Sequence, residues 1–247
     1  MNLSNQDVQL AQAMFESSAT QKHPLGTRGC DTFGRVFRYV KAGAADLIAG
    51  TVIQSPVPPA GQLTTTVNAT GSMSIGNVLI SITCASSVAA GFYNDGYLVI
   101  ASGTGQGFTY TVNSHPAVST GATGIFRLYD EDALVVAITT SSTVSLFQNK
   151  YNGVVIMPAT TATGVVVGVA SYVITAAQFG WIQTWGNCGV LGSTTNAVGS
   201  WGICPATSCG QVSAATAANL LVGQVIGHLM QANVAAQIVM VDLKISP

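Results

Sequence analysis

The chain has 247 residues and a formal charge of −1, with eight Lys and Arg against nine Asp and Glu, so that only 7% of it is charged. A soluble domain usually carries roughly 25% charged residues, and a balance this thin offers no net field to draw in nucleic acid or an acidic membrane surface. Mean hydropathy is +0.45, yet apolar runs such as Val165–Ala170 fall far short of the roughly 18 residues that a membrane helix needs.

Asn5–Ser18 places Val8, Leu10, Ala11, Met14 and Phe15 on roughly one face at helical spacing. It fits a short helix or a peptide that orders against a partner. No basic segment followed by a long apolar core precedes it, so no signal peptide is expected and synthesis is expected in the cytoplasm. Thr20–Arg35 contains Pro24, Gly26, Gly29 and Gly34, which break regular structure and predict an extended arm over residues 1–35. Lys22, Arg28, Arg35, Arg38 and Lys41 cluster in and just beyond it, opposed only by Asp31. Such a positive arm suits an acidic protein surface; for nucleic acid the field is narrow and lacks a stacking groove.

From Val36 onward the pattern is β. The predicted strands are Val36–Val40, Leu47–Gln54, Gln62–Asn68, Val78–Thr83, Gly96–Ala101, Gly107–Val112, Ile125–Leu128, Leu134–Ile138, Thr143–Phe147, Gly153–Met157, Val165–Val173, Gly180–Thr184, Cys188–Leu191, Gly199–Ile203, Leu221–Met230 and Gln237–Ile245. Asn94-Asp95-Gly96 and Tyr151-Asn152-Gly153 are hairpin-turn candidates. Val212–Leu221 is the one helical candidate beyond the N-terminus. The expected fold is all-β: a small barrel- or sandwich-like body over 36–60 and 150–247, an inserted or distal β region over 61–149, and the extended N-terminal arm.

Little in the chain serves catalysis. Gly103–Gly107 (GTGQG) imitates a phosphate loop but lacks the Lys-Ser/Thr pair and is followed by a strand pattern. Asp130-Glu131-Asp132 reads as a solvated turn or a subunit salt bridge, because consecutive carboxylates do not converge on one ion. Cys30, Cys84, Cys188, Cys204 and Cys209 are an odd set without zinc-site spacing, and His23, His115 and His228 are scattered. Buried thiols are expected, with a Cys188 pairing to Cys204 or Cys209 as the alternative. No enzyme, metal or cofactor is expected. Phe179, Trp181, Gln183 and Trp185 alternate and would share one strand face, either as core or as a subunit contact.

Leu25-Gly26-Thr27-Arg28, Gly34–Gly43 (GRVFRYVKAG) and Ala45–Gly50 (ADLIAG) resemble the start of tailed-phage virion proteins of the head-decoration type. Tyr151–Ile156, Gly168–Ala170, Phe179–Gly186 and Val222–Gly227 are similar to phage structural proteins of the same sort. The resemblance covers roughly residues 25–55 and 150–245, and residues 61–149 add strands that the small decoration domains lack. It implies a capsid decoration or cement protein on the capsid exterior of a virion, bound to the major capsid protein and self-associating as a trimer. The extra length keeps a minor capsid, tail or fibre role with host-surface binding as the alternative. Arg28, Arg35, Phe37, Arg38, Lys41, Trp181 and Trp185 are the expected capsid or subunit-interface residues, with no direct nucleic-acid or membrane partner.

Overall fold

The computed structural model describes residues 12–59, 61–68, 73–159, 161–193, 197–204, 209–216, 223–232 and 235–247. The strands are β1 (Arg28–Cys30), β2 (Val36–Ala42), β3 (Val52–Gln54), β4 (Thr65–Thr66), β5 (Leu79–Thr83), β6 (Tyr97–Ser102), β7 (Thr109–Ser114), β8 (Thr123–Leu128), β9 (Thr143–Phe147), β10 (Asn152–Ile156), β11 (Val166–Ala170), β12 (Phe179–Leu191), β13 (Trp201–Cys204), β14 (Ser213–Ala214), β15 (Gln224–Leu229) and β16 (Ile238–Lys244). The protein is all-β. It divides into two compact units, Met1–Val57 with Lys150–Pro247, and Pro58–Asn149.

In the first unit, β2, β10, β3, β11 and β12 follow one another around a closed ring, because β12 pairs with β11 on one side and β2 on the other. Closure leaves these five strands without open edges. Val40, Ala42, Ile53, Val154, Val167, Ala170 and Ile182 fill the inside. The two strands expected at 180–184 and 188–191 are one thirteen-residue strand. Its far half leaves the ring and pairs with β16, and the sheet continues through β15 and β13 to β14. A Gly192–Val212 bridge turns the β14 end back toward β12, over a core that includes Cys188, Val190, Val239, Val241 and Leu243.

The step from ring to second sheet is a bulge. Gln183 lies opposite Phe37 and Trp185 opposite Val36, so two residues on β12 advance against one on β2. An extra residue reverses which face each later side chain occupies. Trp185 therefore does not share the face of Phe179 and Trp181, and the expected continuous aromatic stripe is corrected to two separate sites.

The second unit is a six-stranded sheet in the order β4-β9-β6-β7-β8-β5, brought almost to closure by a Val67–Ile82 bridge between its ends. Ile80, Ile82, Leu98, Ile100, Val112, Phe126, Leu128 and Leu146 fill its core. Gly103, Gly105 and Gly107 all have positive φ in the turn that joins β6 to β7, where a residue without Cβ is unstrained. The phosphate-loop look-alike is a hairpin turn. Leu134–Ile138 is not a strand: Leu134 donates to the Asn77 carbonyl and accepts from Gly76 N–H, and Ile138 N–H donates to the Met73 carbonyl. Asp130–Asp132 forms a short 3-10 turn.

Two helix expectations change. Residues 12–18 form a turn and a bridge from Ser18 to Phe179; residues 5–11 lie outside the described residues. Within the other candidate, Val212 bridges Gly192 and Ser213–Ala214 is a strand; residues 217–221 lie outside the described residues. Backbone pairing with neighbouring strands outweighs the weak helical propensity of both segments.

Candidate interaction surface

The N-terminal segment is extended, but its described part lies on its own barrel. It covers the outer face of β2 and β12, where Phe37, Tyr39 and Trp181 are wholly buried and Phe179 nearly so. Gln12 is the anchor. Its Nε2 donates to the Phe179 carbonyl at 3.0 Å, its Oε1 accepts from the Tyr39 hydroxyl at 2.7 Å, and its backbone carbonyl accepts from Trp181 Nε1 at 3.2 Å. His23 packs its ring 5.3 Å from both Tyr39 and Trp181, and burial holds its imidazole below the usual range. Further along, the Tyr172 hydroxyl donates to the Glu16 carbonyl and accepts from Trp181 N–H. Residues 12–27 are a strap, and the expectation of an arm reaching out to a neighbour is corrected for this stretch. The physical reason is the aromatic face beneath, which must be covered by something.

The expected interface residues scatter accordingly. Phe37 and Trp181 belong to the core beneath the strap and offer no surface. Arg38 turns inward along the barrel end, where Nη1 donates to the Gly26 carbonyl and Nη2 to Ser246 Oγ and the Pro247 carbonyl. Arg35 pairs with Asp31, Lys41 lies 5.6 Å from the centre of the Phe179 ring, and Lys244 lies 4.3 Å from that of Trp185. Arg28 is exposed on β1 opposite Arg38. The basic cluster is thus mostly spent within the protomer, and only Lys22 and Arg28 have side chains without a partner among the described residues.

A different surface emerges on the outer side of β12 and β16. In β16 (IVMVDLK) Val239, Val241 and Leu243 are buried while Ile238 and Met240 are exposed. Opposite them stand Leu191 and Gly189. Phe15, Ala49, Gly189, Ile238 and Met240 enclose a cleft of about 430 Å³, with Arg35, Gln183 and Asn187 as its polar lining. Gly189 is required there, since a Cβ would come within 2.9 Å of Ile238 Cγ2. Cys188 also borders the cleft, but burial pushes its thiol up to about 12, so it stays protonated and is no nucleophile.

Beside the cleft, the turn from β1 to β2 is held by one carboxylate. Asp31 Oδ1 accepts from the backbone N–H of Phe33 at 3.0 Å and of Arg35 at 2.9 Å, while Oδ2 takes the Arg35 guanidinium. Burial raises the Asp31 pKa, but the Arg35 side-chain bond, the two backbone bonds and the Arg35 charge together outweigh it and hold the group below its usual value. Phe33 is left 86% exposed at the tip.

These features were missed in the sequence, although two signals were there. A strand reading I-V-M-V is apolar on both faces, which a half-solvated strand normally avoids. Phe33 between Thr32 and Gly34 in a turn is the second signal, since turns favour small polar residues.

Among the described residues no three His, Cys, Asp or Glu side chains come together as metal ligands, and Cys30, Cys84, Cys188 and Cys209 are free thiols. Asp130 pairs with Arg127, and Asp132 accepts from Thr111 N–H, so two carboxylates of the acidic run serve their own fold. The class defined by fold and surface is a two-unit β-barrel protein with a nearly uncharged, partly apolar exterior. No family model, curated protein or solved structure matches the chain.

Proposed function

We propose that this protein is a structural component of a virion, a decoration or cement protein that binds the outer surface of an assembled phage head and stabilises contacts between capsomers. The observation that carries the reading is the exterior. Large apolar side chains, among them Phe33, Ile75, Val198, Trp201, Ile238 and Met240, stand exposed on a chain with only 7% charged residues. A free-living monomer normally keeps a charged surface for solubility, whereas a protein that works packed against other subunits has less need of one and can use exposed apolar side chains in its contacts. Binding the assembled shell and not its dissociated subunits adds the free energy of binding to the shell's stability by mass action. The partners are then the major capsid protein and further copies of this chain, and no catalytic step is required.

The strap belongs to the barrel in this reading, so contact with the shell is assigned to the exposed faces and not to residues 12–27. Cryo-electron microscopy of particles carrying this protein, with mass spectrometry of their subunits, tests the proposal. Density for the chain at regular sites over the icosahedral shell is the expected result. Density confined to the tail or to one vertex would replace it with the tail- or fibre-associated role, and absence from particles would overturn both.

A further inference from the structure

Phe33 is the most exposed large apolar side chain among the described residues. It stands on a turn whose shape is fixed from within, by the bonds to Asp31 and by a hydrogen bond from Gly34 N–H to the Asp31 carbonyl. A mobile turn can hide an aromatic ring; a braced one holds it in water. Two residues further along, Arg35 borders the cleft walled by Phe15, Ile238 and Met240, so knob and cleft lie within about 7 Å of each other along the backbone. At 86% exposure Phe33 does not fill the cleft of its own chain.

We propose that Phe33 of one copy seats in the Phe15–Ile238–Met240 cleft of a second copy, and that the exchange is reciprocal. Size permits it: an apolar void of about 150 Å³ already accommodates a benzene ring, and this cleft measures about 430 Å³. Phe15 already meets Phe37 and Tyr172 edge-on, at 6.4 and 6.0 Å, and an incoming ring adds to an aromatic group of that geometry. Charge does not oppose it, because the Arg35 beside the contact is neutralised by Asp31 of the same turn. A second copy carries the same braced ring beside the same cleft. With knob and cleft adjacent, each supplies what the other lacks across a two-fold axis, which is the isologous arrangement. The closed product is a dimer, in place of the trimer that the resemblance implies. The proposal deepens the reading of this exterior as an interaction surface but does not depend on a capsid, so it is tested on purified protein alone.

Sedimentation equilibrium over the micromolar range should show a dimer for the full chain. Phe33→Ser, which removes an exposed ring from a turn with no packing of its own, should weaken dimerisation by roughly tenfold or more. Met240→Glu, which places a charge in the cleft, should do the same, with unchanged circular dichroism in both. The two variants carry complementary lesions, so an equimolar mixture should form a mixed dimer through one intact knob and one intact cleft. A monomeric wild type would overturn the proposal. So would variants that dimerise like wild type, or a mixture that stays monomeric while each variant is folded.

Discussion

Trp181 donates its indole N–H to the backbone carbonyl of Gln12, 169 positions earlier in the chain. That bond joins the start of the barrel's longest strand to the N-terminal strap and explains how an aromatic face on the outside of a closed barrel stays dry. A strand in a barrel has two faces, and only one can look into the core. Phe37, Tyr39, Phe179 and Trp181 sit on the other. The strap turns this face into a second core.

Removal of the strap should therefore unfold more than it releases. A chain lacking residues 1–27 loses the cover of four large aromatics and is expected to bind hydrophobic dye and melt at lower temperature. Gln12→Ala gives a finer measure, because it strips Tyr39 of its acceptor and the Phe179 carbonyl of one of its two donors, leaving only the Ser18 N–H. Unfolding in urea should show a loss of about 2 kcal/mol for it, against about 3 to 5 kcal/mol for Trp181→Ala. A truncated protein as stable as the full chain would refute the strap's role.

Gly180 is a second point of control. A Cβ at this position would overlap the Tyr172 hydroxyl and approach Ile174 Cδ1 to 2.8 Å. Tyr172 is the residue that ties Trp181 N–H to the Glu16 carbonyl, and burial pushes its phenol up to about 12, so it remains a donor at every ordinary pH. Gly180→Ala should cost about 2 to 4 kcal/mol, from overpacking together with the displaced hydrogen bonds. Tyr172→Phe removes the clashing oxygen as well as its bonds. The double variant should thus lose less than the sum of the two single losses, which urea unfolding of all four proteins would show.

The strands were largely legible because their side chains alternate and because glycine and turn residues punctuate them; Thr143–Phe147 coincides with its predicted bounds, β5 differs by one residue at one end, and β6 and β16 differ by one residue at each end. What could not be read was context. The bulge at Thr184 has no sequence marker, so Trp185 was placed in phase with Trp181 although the register shift moves it to the other face. The strap looked like a free arm because Pro24, Gly26 and Gly29 forbid regular structure, and irregular chain reads the same whether it is solvated or pinned by hydrogen bonds to a distant strand. Arg35 and Arg38 likewise looked available. Their partners, Asp31 on one side and the chain's last two residues on the other, are fixed by a turn and by a fold that local pattern does not encode. Phe33 and the cleft beside it escaped because a turn phenylalanine carries no periodicity.

His115 gives the second unit a sensitivity to acid. Its Nε2 accepts the Tyr93 backbone N–H at 2.9 Å, and Nδ1 lies 2.8 Å from the Pro116 carbonyl, which only a protonated Nδ1 can use. The ring is thereby held as one neutral tautomer, stacked 4.7 Å from Phe126. A second proton would cancel the bond from Tyr93 and place a charge among buried rings. Burial accordingly lowers the imidazole pKa below its ordinary 6.5, with the Pro116 bond only partly offsetting this. Between that lowered value and 6.5 the unfolded chain binds a proton that the folded chain refuses, so stability falls as pH drops below about 6.5 and is flat with respect to this group above it. His23, lowered in the same direction by burial, adds a like dependence in the first unit. Replacing His115 with Gln removes the titrating group from the second unit alone. Amide hydrogen exchange in β6–β8, followed from pH 7.5 to 5.5 and corrected for the intrinsic rate, should show protection declining with acid in the wild type and a flatter profile in the variant. Equal slopes in the two proteins would rule out His115 as the source.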